Sequence, residues 1–272
     1  MRYCKYVSTE NGTTLPRYAI VEQRAGILWA TLPMQAPPED FSARYAPPLA
    51  ANFQPTVLSA LQLLPPVSPS KILCVGRNYR DHAAEMGNDV PTEPLLFLKP
   101  PSSLLPPNGT VRLPKISTRV DYEGELGIVI SRRCYNIGPD EDVRPYIRGY
   151  VNVNDISARD LQASDAQWTR AKGFDTFCPV GTIVSDEIEP VGGDPVNVTT
   201  RLNGVVRQHA STRDMIFSIP QLLRYITSVM TLEAGDLIPT GTPAGVGAVK
   251  PGDIVQIEVD GLGILENKFA AE

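Results

Sequence analysis

The pattern of apolar and polar positions predicts a chain built mainly of short strands. The segment Asp121–Ile130 ends in a run of mostly branched apolar residues, which is typical of a buried strand. Val151 and Val153 alternate with asparagines, the period of two expected for a strand with one buried face. After Asp155 the spacing of apolar residues changes to that of a helix. Asp155 therefore stands at a predicted strand-to-helix junction.

The same pattern predicts the remaining elements. Further strands are expected at 18–21, 26–30, 71–75, 95–98, 196–202, 205–206, 253–259 and 265–269. Helices are expected around 56–64, from 158 to about 168 and over 216–230 with Ser218 as N-cap. The Asn203-Gly204 pair predicts a hairpin turn.

The chain is expected to divide at a linker of prolines and serines. Residues 1–69, which include a proline-rich loop at 33–48, form a small N-terminal α+β domain, and residues 70–272 form a larger domain. The predicted fold class is α+β and rich in strands.

Two acidic residues stand at the start of the central strand. Glu123 and Glu125 are two positions apart, so in an extended chain their side chains point to the same face. Burying two unpaired carboxylates is costly, which favours a cation between them. The alternative is that this end of the strand is a solvated edge. The stretch alone does not decide between the two.

Asp155 has two interpretations as well. At a helix start it can act as an N-cap, and this is the simpler role. If it instead joins Glu123 and Glu125, the three carboxylates form an all-oxygen site. Such a site suits a hard divalent cation, Mg²⁺ or Mn²⁺, better than it suits zinc.

These residues resemble the fumarylacetoacetate hydrolase family. The E-x-E pair is followed by an aspartate before S-A-R-D-L-Q. Three further segments agree in order: GRNYRDHAAEM at 76–86, WTRAKGFDTFCPVG at 168–181 and TGTPAGVG at 240–247. The resemblance covers roughly residues 70–268. It implies a mixed β-sandwich roll, a homodimer, and a metal site at Glu123, Glu125 and Asp155 that takes Mg²⁺ or Mn²⁺, with Ca²⁺ as a substitute.

His82 and Glu85 are three positions apart, which makes them neighbours on one face of a helix. A carboxylate beside an imidazole fixes its tautomer and raises its basicity, as a general base requires. The alternative is an exposed surface pair of little energetic value. The resemblance implies that this pair is catalytic and activates the attacking water.

Other polar residues match the family motifs. The resemblance implies a catalytic role for Lys172, whose ammonium group offsets the negative charge of the site and stabilises an oxyanion. Arg77 is a candidate for binding a substrate carboxylate in a bidentate way. Gln162 and Thr242 are further substrate-binding candidates. Lys99 lies in a family-like F-x-K-P pattern, and the alternative is a solvated lysine without a role in the site.

The resemblance implies a metal-dependent hydrolase. It cleaves a C–C bond in a 2,4-dioxo acid of the acylpyruvate or fumarylpyruvate type, giving pyruvate and a second acid. The same chemistry, in which the ion draws electrons from a keto acid, supports two alternatives: an oxaloacetate decarboxylase and a 2-hydroxyhepta-2,4-diene-1,7-dioate isomerase. A further alternative is a metal- or ligand-binding protein without catalysis.

Composition and charge limit the partners. The net charge is −5 and no basic run stands out, which argues against nucleic acid. No signal peptide is visible at the N-terminus, and no apolar run approaches the ~20 residues of a membrane helix. The four cysteines are far apart in the sequence and form no C-x-x-C pair. Free thiols in a reducing cytoplasm are therefore expected.

Overall fold

The structure, a computed structural model, describes residues 1–10, 12–34, 36–37 and 54–272. Strands dominate it, which confirms the β-rich α+β class. The strands are β1 (Arg2–Glu10), β2 (Thr13–Arg24), β3 (Ile27–Met34), β4 (Thr56–Val57), β5 (Leu63–Leu64), β6 (Ile72–Gly76), β7 (Leu95–Lys99), β8 (Leu104–Leu105), β9 (Thr110–Leu113), β10 (Val120–Tyr122), β11 (Gly124–Ile130), β12 (Ile147–Asn154), β13 (Ser157–Ala158), β14 (Cys178–Pro179), β15 (Val184–Ser185), β16 (Asn197–Leu202), β17 (Val205–Ser211), β18 (Leu237–Pro239), β19 (Gly247–Ala248), β20 (Ile254–Val259) and β21 (Gly263–Ala271). The α-helices are α1 (Arg80–Glu85), α2 (Arg159–Ser164), α3 (Thr169–Lys172) and α4 (Ile219–Val229). Short 3₁₀ turns lie at Leu58–Ala60, Pro101–Ser103, Arg144–Tyr146 and Thr212–Asp214. The predicted loop at 33–48 lies mostly outside the described residues.

The strands form two main sheets that pack face to face. The larger has the order β4-β3-β2-β1-β15-β12-β11-β18-β6-β7, with β5 on β1, and the smaller has the order β17-β16-β20-β21-β9. Leu126 and Ile128 from the larger sheet meet Val198 from the smaller sheet and Leu222 from α4 in one apolar core. This arrangement is the sandwich that was expected. The short strands β13, β10 and β19 form a third sheet beside it.

The N-terminal strands extend the larger sheet. Strand β1 pairs with β2 along its length and with β15 at Arg2 and Tyr3. The division of the chain at residue 69 stays a prediction. The predicted helix at 56–64 is wrong, because β4 pairs with β3 and β5 pairs with β1. Pairing with distant strands outweighs local helix propensity in this segment.

The helices near the site differ in length from those predicted. Helix α2 ends at Ser164, because Asp165 has extended backbone and binds Arg170 of α3 through its carboxylate. The single helix expected to reach Trp168 is therefore two short ones. Helix α4 is confirmed with Ser218 as N-cap. None of the helices in the described ranges combines the length and the apolar character that a membrane span requires.

Candidate active site

Three buried carboxylates meet where β10 and β12 end and β11 begins. Glu123, Glu125 and Asp155 are at most 4% exposed, and each offers an oxygen within 4.8 Å of the others. The solvated-edge alternative for the two glutamates is therefore wrong. The local structure holds the two segments together, because Asp155 N–H donates to Glu123 C=O (2.9 Å) and Glu123 N–H donates to Asn154 Oδ1 (3.0 Å).

Three cations surround two of the carboxylates. Lys172 Nζ lies 2.8 Å from Glu123 Oε2 and 2.7 Å from Asp155 Oδ2. Lys99 Nζ lies 2.7 Å from the other Asp155 oxygen, Oδ1, and Arg159 donates to Glu123 Oε1. The capping role for Asp155 is wrong, because α2 has Ala158 at its N-cap and the carboxylate binds the two lysines.

The pKa values of the two glutamates move in opposite directions. Burial raises the pKa of both carboxyls. At Glu123 the Arg159 and Lys172 cations more than offset burial, so its pKa falls below the ordinary value. At Glu125 the neighbouring Asp155 and Glu123 add to burial, so its pKa lies well above the ordinary value.

Glu125 is the carboxylate that lacks a cation. Its hydrogen bond comes from Gly241 N–H to Oε2 (2.8 Å), and none of the lysines or arginines in the described part of the chain forms an ion pair with it. A buried carboxylate beside two others is stabilised by a proton or a metal ion. The donor set consists of hard oxygens, so the residues fit Mg²⁺, Mn²⁺ or Ca²⁺.

The imidazole and carboxylate of helix α1 face the same space. His82 is 5% exposed, and its Nδ1 lies 3.4 Å from Glu85 Oε2. Gly245 N–H donates to both Glu85 oxygens at 3.1 Å, which ties the pair to the loop after β18. His82 is thus buried in the pocket wall, and Glu85, whose side chain is 34% exposed, lines the same pocket.

One cavity of about 470 Å³ brings all the predicted residues together. Arg77, whose φ of +56° is unusual for a residue with a side chain, stacks over the Trp168 ring at 5.9 Å. Gln162 accepts a hydrogen bond from Arg159 Nη1 (2.8 Å), and Thr242 is buried on the opposite loop. The predicted residues that line this cavity are Arg77, His82, Glu85, Glu123, Glu125, Asp155, Gln162, Lys172 and Thr242.

Sequence reasoning missed a chain of charges at the mouth of the cavity. Buried Asp121 accepts from Arg159 Nε (2.9 Å) and from Arg119 (3.0 and 3.2 Å). Arg159 continues to Glu123, and the side chain of Arg119 is 58% exposed. The R-x-D spacing of Arg119 and Asp121 on one strand face was the available signal. The solvated-lysine alternative for Lys99 is wrong, because its side chain is buried against Asp155.

Comparisons with known proteins agree with this geometry. Residues 71–270 match the family described as "Fumarylacetoacetate (FAA) hydrolase C-terminal". The chain is 45% identical to the mitochondrial oxaloacetate decarboxylase of Dictyostelium discoideum, over 71% of this chain and 89% of that protein. It is 42% identical to the oxaloacetate tautomerase YisK of Bacillus subtilis, over 78% of this chain and 74% of that protein.

A solved structure resembles the whole chain. The crystal structure of 2-hydroxyhepta-2,4-diene-1,7-dioate isomerase from Mycobacterium marinum has a TM-score of 0.82 and 37% identity, and the match covers 100% of this chain and 99% of that one. On the extent of these matches, the chain belongs to the fumarylacetoacetate hydrolase family.

Proposed function

We propose that this chain is a divalent-metal-dependent enzyme that interconverts the keto and enol forms of oxaloacetate-type 2-oxo acids. Decarboxylation through the same enolate is proposed as a linked activity. The observation that carries the proposal is the meeting of three buried carboxylates and the His82–Glu85 pair in one cavity. The relatives named for oxaloacetate, at 42% and 45% identity, support this substrate class.

The carboxylates would hold the metal ion. A divalent cation bound by Glu123, Glu125 and Asp155 would supply a Lewis acid for an oxygen that gains negative charge. Lys172 and Lys99 hold the Glu123 and Asp155 oxygens in place. This support matters because carboxylates that are fixed by outer partners bind metal more tightly.

His82 is proposed as the base that moves the proton. With Glu85 orienting its ring, the imidazole removes a proton from C3 of the keto acid. The electron pair of that C–H bond forms the C2=C3 bond, and the C2 carbonyl oxygen takes up the negative charge. The Lys172 ammonium lines the same cavity and stabilises this charge. Return of the proton to oxygen gives the enol, and its return to C3 gives the ketone.

Two arginines are proposed to bind the second carboxylate of the substrate. Arg77 and Arg119 both line the cavity. Among the described residues, Arg119 forms an ion pair with one carboxylate, that of Asp121, and Arg77 forms none, so both guanidinium groups have nitrogens left to bind a substrate. Asp121 holds Arg119 in a forked contact, and Trp168 supports Arg77. A guanidinium group that is held in this way loses little freedom when it binds a carboxylate.

Hydrolysis of a 2,4-dioxo acid is the second candidate. The His82–Glu85 pair favours it, because the same base can deprotonate water for attack on a distal carbonyl. The C–C bond then breaks toward the enolate of pyruvate. The isomerase alternative is supported by the name of the Mycobacterium marinum structure. His82 and Glu85 argue against a protein without catalysis, since metal binding alone needs only the carboxylates.

The experiment follows the ultraviolet absorbance of enol-oxaloacetate with enzyme and Mg²⁺, Mn²⁺ or EDTA, and pyruvate release from oxaloacetate and acetylpyruvate in parallel. We expect metal-dependent ketonisation to be the fastest reaction. Faster pyruvate release from acetylpyruvate would favour the hydrolase. No metal-dependent change in any substrate would overturn the proposal.

A reducing compartment such as the cytoplasm is also proposed. The four cysteines are buried and unpaired, which supports it. The homodimer remains a prediction from the family resemblance.

A further inference from the structure

A buried glutamine joins the metal-binding segment to the substrate loop. Gln208 of β17 is 0% exposed, and its Oε1 accepts from Gly124 N–H (3.0 Å). Its Nε2 donates to Thr242 Oγ1 (2.7 Å) and to Pro243 C=O (2.7 Å). Only one orientation of the amide satisfies these partners, because an N–H cannot accept and a carbonyl cannot donate. The side chain is therefore held at three points.

Thr242 closes the network. Its hydroxyl accepts from Gln208 and donates to Gly124 C=O (2.9 Å), so both sides of the Gly124 residue are bound. The neighbouring Gly241 N–H donates to Glu125 Oε2. The loop thus contacts Glu125 directly and contacts Gly124, which separates Glu123 from Glu125, through Thr242 and Gln208.

Glycines permit this close approach. A Cβ at Gly124 would lie 2.0 Å from Thr200 Oγ1, and a Cβ at Gly245, whose φ is +102°, would lie 2.0 Å from Arg207 C=O. Neither position has room for a side chain. The chain therefore uses glycine on both sides of Gln208 to bring the loop and the strand into contact.

We propose that Gln208 is a positioning residue that holds the metal carboxylates and Thr242 in one fixed arrangement. This inference rests on the proposed function, because it assumes that the carboxylates bind a metal ion and that Thr242 binds a 2-oxo acid. Gln208 does not line the cavity and acts through Gly124 and Thr242. Removing such an outer partner typically weakens metal binding.

The test measures Mn²⁺ affinity by calorimetry on the full-length protein. The variants are Gln208→Met, which keeps the length of the side chain without its hydrogen bonds, Thr242→Val, and the double variant. We expect each single variant to lose about 10- to 100-fold in affinity. The double variant should bind Mn²⁺ no more weakly than the weaker of the two single variants, because Gln208 and Thr242 both act on the same Gly124 residue.

The matched control is Asn267→Leu. Asn267 of β21 is also a buried amide, and its Nδ2 donates to Gly109 C=O (2.9 Å) just before β9. Strands β16 and β20 separate it from Gln208 in the smaller sheet. It should change Mn²⁺ affinity by about twofold at most. An equal loss in this control would mean that Gln208 is merely structural, and unchanged affinity in folded Gln208→Met would also overturn the inference.

Two further measurements keep the test decisive. If Gln208→Met does not fold, Thr242→Val must still lose Mn²⁺ affinity and Thr242→Ser must recover most of it, or the inference fails. Mn²⁺ binding is read without turnover, so an inactive wild-type protein would contradict the proposed function and leave this result standing. With activity present, the KM for oxaloacetate should rise in Gln208→Met as well, since Thr242 is displaced.

Discussion

Lys172 places its ammonium nitrogen 2.7 Å from Asp155 Oδ2, although both side chains are almost completely buried. Lys99 reaches the other oxygen of Asp155 at the same distance. Both oxygens are thus held by cations, whereas Glu125 faces the same space with none among the described residues. The site therefore contains two carboxylates fixed by protein cations and one that needs a proton or a metal ion.

This difference predicts that two isosteric substitutions change the stability of the metal-free protein differently. Glu123→Gln removes one of the two buried carboxylates that Arg159 and Lys172 each bind, which should lower the free energy of unfolding by about 3 kcal/mol. Glu125→Gln breaks no ion pair and removes like charge beside Asp155 and Glu123, so the Tm should not fall. Thermal unfolding in EDTA measures both. A large loss of stability in Glu125→Gln would contradict the charge assignment.

Lys99→Met should damage the fold and the metal site together. It leaves Asp155 Oδ1 buried without its donor, and breaking a buried pair typically costs about 3–5 kcal/mol. Lys71→Met is the control, because Lys71 pairs with buried Asp236 elsewhere. Both variants should unfold at lower denaturant concentration, but only Lys99→Met should lose Mn²⁺ affinity. Equal Mn²⁺ affinity in the two variants would show that Lys99 does not support the metal site.

His82→Ala should separate the reactions. Removing a general base typically costs about 10²- to 10⁴-fold in rate, so ketonisation of enol-oxaloacetate and any hydrolysis of acetylpyruvate should fall by that factor. Decarboxylation breaks the C3–C4 bond without a base and should survive. The two rates are measured on the same protein with Mn²⁺. Unchanged ketonisation would show that His82 is not the base.

Arg119→Gln should discriminate between substrates by charge. The KM for oxaloacetate, with two carboxylates, should rise, whereas the KM for acetylpyruvate, with one, should change little. Asp121 remains bound to Arg159 in this variant, so the metal site is kept. Arg112→Gln, a surface change on β9, is the control. Equal effects on both substrates would exclude Arg119 from binding the second carboxylate.

The sequence predicted the parts of this site that local spacing encodes. Glu123 and Glu125 lie two positions apart, His82 and Glu85 lie three apart on α1, and Asp155 follows an alternating strand. Each arrangement follows from the period of a strand or a helix. Side-chain chemistry adds Arg77, the family resemblance adds Lys172 and Thr242, and Gln162 is a further candidate. The structure brings all four to the same cavity.

The contacts between distant segments could not be predicted. Lys99 meets Asp155 across 56 positions, and Gln208 meets Gly124 across 84. No period of the sequence encodes such pairs, because the first depends on the strand order within the larger sheet and the second on how the two sheets pack. The same cause explains the wrong helix at 56–64, where pairing with the first strands decides the structure.

The most direct test of the three-carboxylate site is a calorimetric titration with Mn²⁺ followed by oxalate, a planar dianion that resembles the enolate of pyruvate. Wild-type protein should bind a single Mn²⁺ per chain and should bind oxalate only after Mn²⁺, and Asp155→Asn should lose both. Oxalate binding of equal strength in EDTA, or no Mn²⁺ binding by the wild-type protein, would contradict a metal-dependent site for 2-oxo acids.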